Sequence, residues 1–407
     1  MKQSSSSYFD DELGYSLEQG YYFEENIIAL TCIRVFGVVS MVASGLIIND
    51  IAQKLCRRQG AFLKKVSLTQ SILIVLSIGD FGGAFFVQFI STWMVPQRNQ
   101  LLGSVGSQPS CVAQGILSGF FYNLSVLSNA SLAVAYCMIV RCGWNDKDRS
   151  KVRLPFTLIP FLVSIGTAVA PLFGQNYNYN GGYSCYISGA PPGCEFDPNP
   201  QETCVRGAQA RVMLIIAGLL PVVIAFFIVF VAVLLLVYTV YVQERKMDRY
   251  QRSGRNRQLT MESFYQGIFY IGAFAISWTP WLVYGFREGT LVGANAVSYY
   301  VMLAVTPLHG LLNAIVYFRP RLKAERESNP NHSRCKSLMR VLNIKCCCII
   351  KSRERNDDTA IITADPAEDT ERWKENDVAG DPKVATVKTE APQDAEIGPE
   401  KKAISSS

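Results

Sequence analysis

The segment Pro307-Leu-His-Gly-Leu-Leu-Asn-Ala-Ile-Val-Tyr-Phe-Arg-Pro-Arg321 closes an apolar stretch that begins at Asn295 and ends at Phe318. A stretch of this length can cross a bilayer as a helix. It contains proline, histidine and asparagine, where lipid-facing side chains would be aliphatic. Because polar groups at membrane depth are costly, they usually face the interior of a helix bundle and mark functional positions. The basic cluster that starts at Arg319 predicts the end of the span.

The composition favours a membrane protein over a soluble one. Of the 407 residues, 49% are hydrophobic and 18% are charged, against roughly 25% charged residues in an average soluble domain. The net charge of +6 would permit nucleic-acid binding, but the basic residues lie in short runs between apolar stretches. That arrangement is typical of membrane topology, so we expect membrane lipids and no nucleic acid as partners. No nucleophile–base or metal-ligand spacing recurs, so we expect no enzymatic chemistry, no metal and no cofactor.

Seven apolar stretches are long enough to cross a bilayer, which predicts an all-α membrane protein with a seven-transmembrane-helix bundle. They lie at about 27–49, 66–90, 111–141, 154–174, 209–242, 261–286 and 295–318. The first 26 residues are polar and acidic, unlike a cleavable signal peptide. We therefore expect the first span to serve as the membrane-targeting signal.

The loops differ in charge, and this difference predicts the orientation. Lysine and arginine cluster in the loops after the first, third and fifth spans and are scarce in the alternate loops. Since cytoplasmic loops carry the positive excess, the amino terminus is expected outside and the carboxyl terminus inside. The chain then divides into an extracellular segment 1–26, a bundle 27–318, a juxtamembrane cytoplasmic segment 319–351 and a disordered cytoplasmic tail 352–407.

Four cysteines fall on the predicted outside, where an oxidising compartment permits disulfides. Cys111 opens the third span, and Cys185, Cys194 and Cys204 lie in the long loop 175–208. Four cysteines allow three pairings, of which we favour Cys111–Cys185 with Cys194–Cys204. One bridge with two free thiols stays the alternative, although exposed thiols are reactive. We expect the tyrosines of this loop to make surface contacts, namely Tyr177, Tyr179 and Tyr183.

Cys346, Cys347 and Cys348 lie on the predicted cytoplasmic side, between Lys345 and Lys351. Reducing surroundings disfavour a disulfide there, and a metal site is disfavoured because no ligand pair has suitable spacing. Juxtamembrane cysteines beside basic residues are typical palmitoylation sites. The sequence therefore predicts lipid anchoring of this segment.

Three short motifs resemble those of rhodopsin-like G-protein-coupled receptors. Ser277-Trp-Thr-Pro280 in the sixth span is similar to Cys-Trp-x-Pro, and Asn313-Ala-Ile-Val-Tyr317 in the seventh to Asn-Pro-x-x-Tyr. Leu76-Ser-Ile-Gly-Asp80 resembles the second-span motif that ends in aspartate. The chain lacks the Asp/Glu-Arg-Tyr motif at the end of the third span. Its Ser184-Cys-Tyr-Ile187 and seventh span look closer to the cyclic-AMP-receptor-like group of slime moulds and other microbial eukaryotes.

The resemblance covers about residues 27–325 and implies a multi-pass receptor of the plasma membrane. Such a receptor binds an extracellular ligand and activates a heterotrimeric G protein by helix rearrangement. A retinal protein is disfavoured, because a Schiff base needs a lysine within a late span and neither 261–286 nor 295–318 contains one. A transporter or channel without G-protein coupling is the remaining alternative, although no internal repeat or ring of charges supports it.

Aromatic and polar residues of the spans are candidates for ligand binding. Proline opens the helix backbone, so Trp278 and Pro280 fit a bend beneath a ligand cavity, and a purely structural kink is the alternative. Arg211, with Arg206 and Arg287 nearby, would suit an anionic ligand, unless these side chains only anchor helices at the interface. The candidate ligand-binding residues are Gln114, Tyr122, Arg211, Trp278, Trp281, Tyr284 and Tyr299.

A second set of polar residues lies near mid-membrane, counted at ~1.5 Å of helical rise per residue. Asp80, Asn129 and His309 fall at similar depth, and Ser128 and Asn313 extend the set. We expect a polar network with two arrangements, as a switch requires, and a static packing network is the alternative. The candidate switch residues are Asp80, Asn129, His309, Asn313 and Tyr317.

Overall fold

A computed structural model describes the chain over residues 7–57, 67–99, 101–142, 146–196, 204–250, 254–289 and 296–342. Within these ranges, seven helical segments are long and apolar enough to span a membrane, which confirms the predicted seven-helix bundle. The spans are Ile27–Cys56, Leu68–Phe89, Gln108–Cys142, Ser150–Gly174, Ala210–Val242, Phe264–Phe286 and Val301–Ser328. Cys346, Cys347, Cys348 and the tail 352–407 lie outside the described residues.

The helices extend beyond several of the spans. The first runs over Ser7–Arg57 and the sixth over Gly254–Gly289. The remaining long helices are Leu68–Gly83, Gln108–Cys142, Asp146–Val169, Leu220–Tyr250, Ala296–Val305 and His309–Ser328, and a short helix follows at Arg334–Val341. The fifth helix continues past its span, as the length of its apolar stretch predicts.

Four spans contain a local change of helix type. The fourth span ends in a 3₁₀ turn at Ala170–Gly174. Wide π-helical turns form at Ala84–Phe89 in the second span and at Leu214–Leu219 in the fifth. The seventh span narrows to a 3₁₀ turn at Thr306–Leu308, around Pro307. Proline lacks the N–H that would continue the α-helical bonding, so this irregularity is explained by the sequence. The sixth span stays helical through Pro280.

The third span is the most buried of the seven and forms the centre of the bundle. Together with spans 5 and 6 it encloses one apolar core, which includes Phe274 and Trp278. A second core joins spans 1, 2, 3, 6 and 7, and includes Ile47, Leu76 and Tyr270. Outward-facing positions of the bundle carry large apolar side chains such as Phe227 and Phe230, as expected for helices in contact with lipid.

The segment between the fourth and fifth spans folds over one end of the bundle, which we call the loop end. The strands Tyr177–Tyr179 and Cys185–Ile187 pair antiparallel, with Tyr179 opposite Cys185. Disulfides join Cys111 to Cys185 and Cys194 to Cys204, which confirms the favoured pairing. The hairpin is thereby tied to the start of the third span. The opposite end, where the seventh span meets Arg321, is called the basic end.

Candidate functional site

A cavity of about 360 Å³ lies beneath the hairpin at the loop end. Three of the predicted ligand-binding residues line it: Tyr122 from the third span and Trp281 and Tyr284 from the sixth. The seventh span adds Thr306 and Pro307 to its wall. Its volume is in the range of small-molecule sites, roughly 300–1,000 Å³.

Both π turns face this cavity. The turn in the second span contributes Val87 and Gln88, and the turn in the fifth contributes Leu214 and Leu219. A π turn inserts an extra residue into the helix and is frequent at functional sites. Gln88 donates a hydrogen bond from its amide to the hydroxyl of Tyr122 over 3.3 Å. The irregular turns thus aim side chains at a common space.

The hairpin closes the cavity from above with Tyr183, Tyr186 and Ile187. Ser91, in the 3₁₀ turn that follows the second span, donates a hydrogen bond to the backbone carbonyl of Tyr183 over 3.1 Å and so ties the hairpin segment to this turn. Desolvation by burial raises the pKa of Tyr186, so its phenol stays protonated near neutral pH. The expectation that the loop tyrosines lie at the surface was wrong for Tyr177 and Tyr183, which are 1% and 6% exposed.

The other candidate ligand-binding residues occupy different places. Gln114 is fully buried and does not line the cavity: its amide donates to the carbonyls of Phe86 and Ser91, and its oxygen accepts from the N–H of Cys185. It therefore joins the second span, the third span and the hairpin. Arg211 also lies outside the cavity wall, with its guanidinium 5.9 Å from the ring centre of Phe196. The side chain of Tyr299 lies outside the described residues.

Trp278, a further candidate ligand-binding residue, is not part of the cavity wall and lies between the wall residues Tyr122 and Trp281 and the polar residue His309. Its ring meets Tyr122 edge-on at 5.7 Å, Trp281 at 6.2 Å and His309 at 6.0 Å between ring centres. The indole N–H has no hydrogen-bond partner among the described residues. Because these rings are in contact, a displacement of Tyr122 or Trp281 would move Trp278, and a displacement of Trp278 would move His309.

Below Trp278 the structure brings the predicted polar residues together around Asp80. One carboxylate oxygen of Asp80 accepts from the hydroxyl of Ser125 over 2.5 Å, and the other accepts from the amide of Asn313 over 2.9 Å. His309 Nε2 lies 2.8 Å from the amide nitrogen of Asn129 and 3.1 Å from that of Asn313. Nε2 also lies 3.7 Å from a carboxylate oxygen of Asp80, and Nδ1 has no hydrogen-bond partner among the described residues. We call these five residues the polar hub.

The hub differs from the predicted residues in two respects: Ser125 replaces Ser128, and Tyr317 bonds to Asp50 instead. Ser128 is buried, but its hydroxyl has no partner among the described residues, so it stays outside the hub. Ser125, one turn earlier on the same helix, takes its place. Gly79 permits this contact, because a Cβ there would lie 2.7 Å from the backbone nitrogen of Ser125. The depth of these polar residues along the helices was predicted correctly, but the face of the third helix that meets Asp80 could not be read from one sequence.

Tyr317 belongs to a different cluster at the basic end. Its hydroxyl donates to Asp50 over 2.6 Å, and Arg321 pairs with the same carboxylate at 2.7 Å. Lys54 lies 3.6 Å from that carboxylate. Asp50 was missed because the apolar stretch from which the first span was predicted ends at residue 49, one position before it. This cluster links the first span to the seventh, and Tyr317 does not reach the hub.

Comparison with known proteins adds a fold relationship. No protein-family model and no curated protein sequence matches the chain. Among solved structures, the crystal structure of squid rhodopsin superimposes with a TM-score of 0.54 at 15% sequence identity, covering 92% of this chain and 90% of that one. The fold is rhodopsin-like. At this identity the rhodopsin-like fold is the whole of what the likeness establishes, and the site has to be argued from its own residues.

Proposed function

We propose that this protein is a G-protein-coupled receptor whose ligand enters the cavity at the loop end. The observation that carries the proposal is the continuity between cavity and hub. A small cavity of about 20 Å³ beside Asp80 and His309 shares Gln88, Tyr122 and Pro307 with the wall of the ligand cavity. A ligand that displaces these shared side chains alters the packing around the hub, and its differential affinity for two arrangements would drive the switch.

We further propose that the loop end faces outward and the basic end faces the cytosol of a multi-pass plasma-membrane protein. Two disulfides at the loop end suit an oxidising compartment, and the basic loops suit the cytoplasmic side. Segment 1–26 is then extracellular, and 319–407 is cytoplasmic. The basic loop between the fifth and sixth spans would contact the G protein, and acyl chains on the cysteines at 346–348 would hold the tail at the membrane.

A diffusible ligand fits this cavity better than a covalent chromophore. A Schiff base requires a lysine, and none of the described residues that line the cavity is a lysine. The resemblance to the cyclic-AMP-receptor-like group rests on residues 184–187 of the hairpin and on the seventh span alone. We propose a relationship to that group and infer no ligand from it.

Signalling should be tested in cells that co-express the receptor with a panel of heterotrimeric G proteins, each reporting subunit dissociation by energy transfer. A ligand collection of amines, small acids, nucleotides and peptides is applied, and Asn313→Ala serves as the variant with a broken hub. The proposal expects at least one G protein to respond, through basal or ligand-induced activity. Flux of a solute through reconstituted vesicles, without any G-protein response, would instead establish the transporter alternative.

Orientation has its own test. An epitope inserted before residue 26 should be reached by antibody on intact cells, and an epitope after residue 352 only after permeabilisation. Labelling of both ends on intact cells would contradict an odd number of spans and remove the receptor proposal.

A further inference from the structure

The cavity wall contains one acidic side chain, Glu195, and none of its described lining residues is basic. Glu195 is 6% exposed. Its Oε1 accepts a hydrogen bond from the hydroxyl of Ser188 over 3.0 Å, and its Oε2 has no partner among the described residues. A buried carboxylate is costly where the wall around it supplies no positive charge. The described wall therefore leaves the charge of Glu195 uncompensated.

The loop fixes the position of this carboxylate. Glu195 lies in the 3₁₀ turn Cys194–Phe196, which the disulfide to Cys204 closes and which packs against the start of the fifth span. Gly189 leaves room beside the carboxylate, because a Cβ there would come within 2.6 Å of Oε2. The position is therefore built into the loop rather than adopted by a flexible surface side chain.

The remaining described wall residues are uncharged, and many of them are aromatic or aliphatic, such as Tyr122, Trp281 and Leu214. Aromatic faces attract cations, most strongly where water is excluded. Arg211, the arginine at the start of the fifth span, packs over Phe196 and lies outside the cavity wall. In the sequence, the arginines suggested an anionic ligand. The lining of the cavity favours a cationic ligand instead.

We propose that the cavity recognises a ligand bearing a protonated amine, with the ammonium group paired to Glu195 and an apolar or aromatic body directed toward Tyr122 and Trp281. The ammonium would supply both the counter-charge and the missing hydrogen-bond donor. The proposal names the ligand class for the receptor function proposed above, and it rests on that function for the signalling that binding would trigger. Recognition of the cation itself can be tested without any signalling readout.

Labelling of an introduced thiol with reagents of opposite charge measures the electrostatic potential at the cavity wall. Leu214→Cys places a thiol in the cavity, and its reaction rates with 2-(trimethylammonium)ethyl methanethiosulfonate and 2-sulfonatoethyl methanethiosulfonate are compared on full-length receptor in membranes. Receptor without the added cysteine corrects for native thiols, and a small thiol in solution gives the reference ratio. We expect the cationic reagent to be favoured in the cavity, and Glu195→Gln to lower that preference by about tenfold, the smaller end of electrostatic steering in clefts.

Three variants control for position and for charge. Leu303→Cys on the seventh span lines the cavity and tests whether the preference reports the cavity as a whole, and Glu262→Gln removes an exposed carboxylate far along the sixth helix. Glu195→Asp keeps the charge and should keep the preference. An unchanged ratio in Glu195→Gln, or a preference for the sulfonate in the parent, would overturn the proposal. If Glu195→Gln does not reach the membrane, the parent ratio alone decides, since a value at or below the solution reference refutes it.

Discussion

Replacing Asp80 by asparagine is the sharpest perturbation of the hub. The carboxylate accepts from Ser125 and Asn313 while buried. Asparagine keeps the size, and the Ser125 hydroxyl can turn to accept from its amide, so both bonds can persist but lose the charged acceptor. A hydrogen bond to a charged group contributes about 1.5–3 kcal/mol and a neutral one about 0.5–1.5 kcal/mol, so weakening two such bonds costs about 1.5–3 kcal/mol in total. At about 1.4 kcal/mol per factor of ten, the ratio of the two helix arrangements should change about tenfold to 150-fold.

Under the proposed function, the assay reads basal and maximal G-protein activation, each normalised to the amount of the protein at the cell surface. Asp80→Asn should reach the surface and signal with altered basal or maximal activity. Asn313→Ala should act similarly, and the double variant should give less than the sum because both lie in one network. Asn123→Ala is the matched control: Asn123 is also buried and bonds Thr167 and the carbonyl of Ala217, away from the hub. Wild-type signalling in both hub variants would show that Asp80 serves only to pack the helices, and the switch would then be expected around Trp278.

Three further predictions test other parts of the molecule. Cys111→Ser and Cys185→Ser should lower surface expression to similar extents, and the double variant should be no worse than either, whereas additive losses would contradict the bridge. Tyr317→Phe should lower the stability of the detergent-solubilised protein by about 1.5–3 kcal/mol, because its hydroxyl bonds both Asp50 and Arg321. Asp50→Asn should lower it further because Arg321 loses the counter-charge with which it pairs, and the reverse order in melting temperature would refute this. Acyl exchange should label the wild-type protein and not a variant with serines at 346–348, and equal labelling of the two would contradict lipidation there.

The global fold could be predicted because its signals are local. A sufficiently long run of apolar residues predicts a transmembrane helix without knowledge of the helices that pack beside it. The charge difference between loops predicts the orientation without knowledge of any tertiary contact. The disulfide pairing could be favoured from compartment and position, and both bridges are present. Mid-membrane depth could also be counted, which is why four of the five hub residues could be predicted.

The contacts across spans could not be predicted. Ser125 and Ser128 differ by about 4.5 Å in depth at ~1.5 Å per residue, and only the packing of the second span on the third decides between them. Gln114 resembles a ligand-facing residue by its depth, yet three backbone groups satisfy its amide. Glu195 carried no periodic signal because it lies in a loop, where its burial depends on contacts between segments that one sequence does not show.

The seventh span explains how a signal at the cavity could reach the basic end. Its polar side chains recur every four residues and form a stripe that winds slowly around the helix, since four residues exceed one turn of 3.6. The upper two, His309 and Asn313, bond within the hub, and the lower two, Tyr317 and Arg321, bond to Asp50 on the first span. Because one stripe serves two clusters on different neighbours, a rotation of this helix that breaks one set of bonds also strains the other. The 3₁₀ turn at Thr306–Leu308 sits directly above the stripe, in the wall of the ligand cavity. A ligand that shifts this turn would therefore bias both clusters together, which is the behaviour that a two-state switch needs.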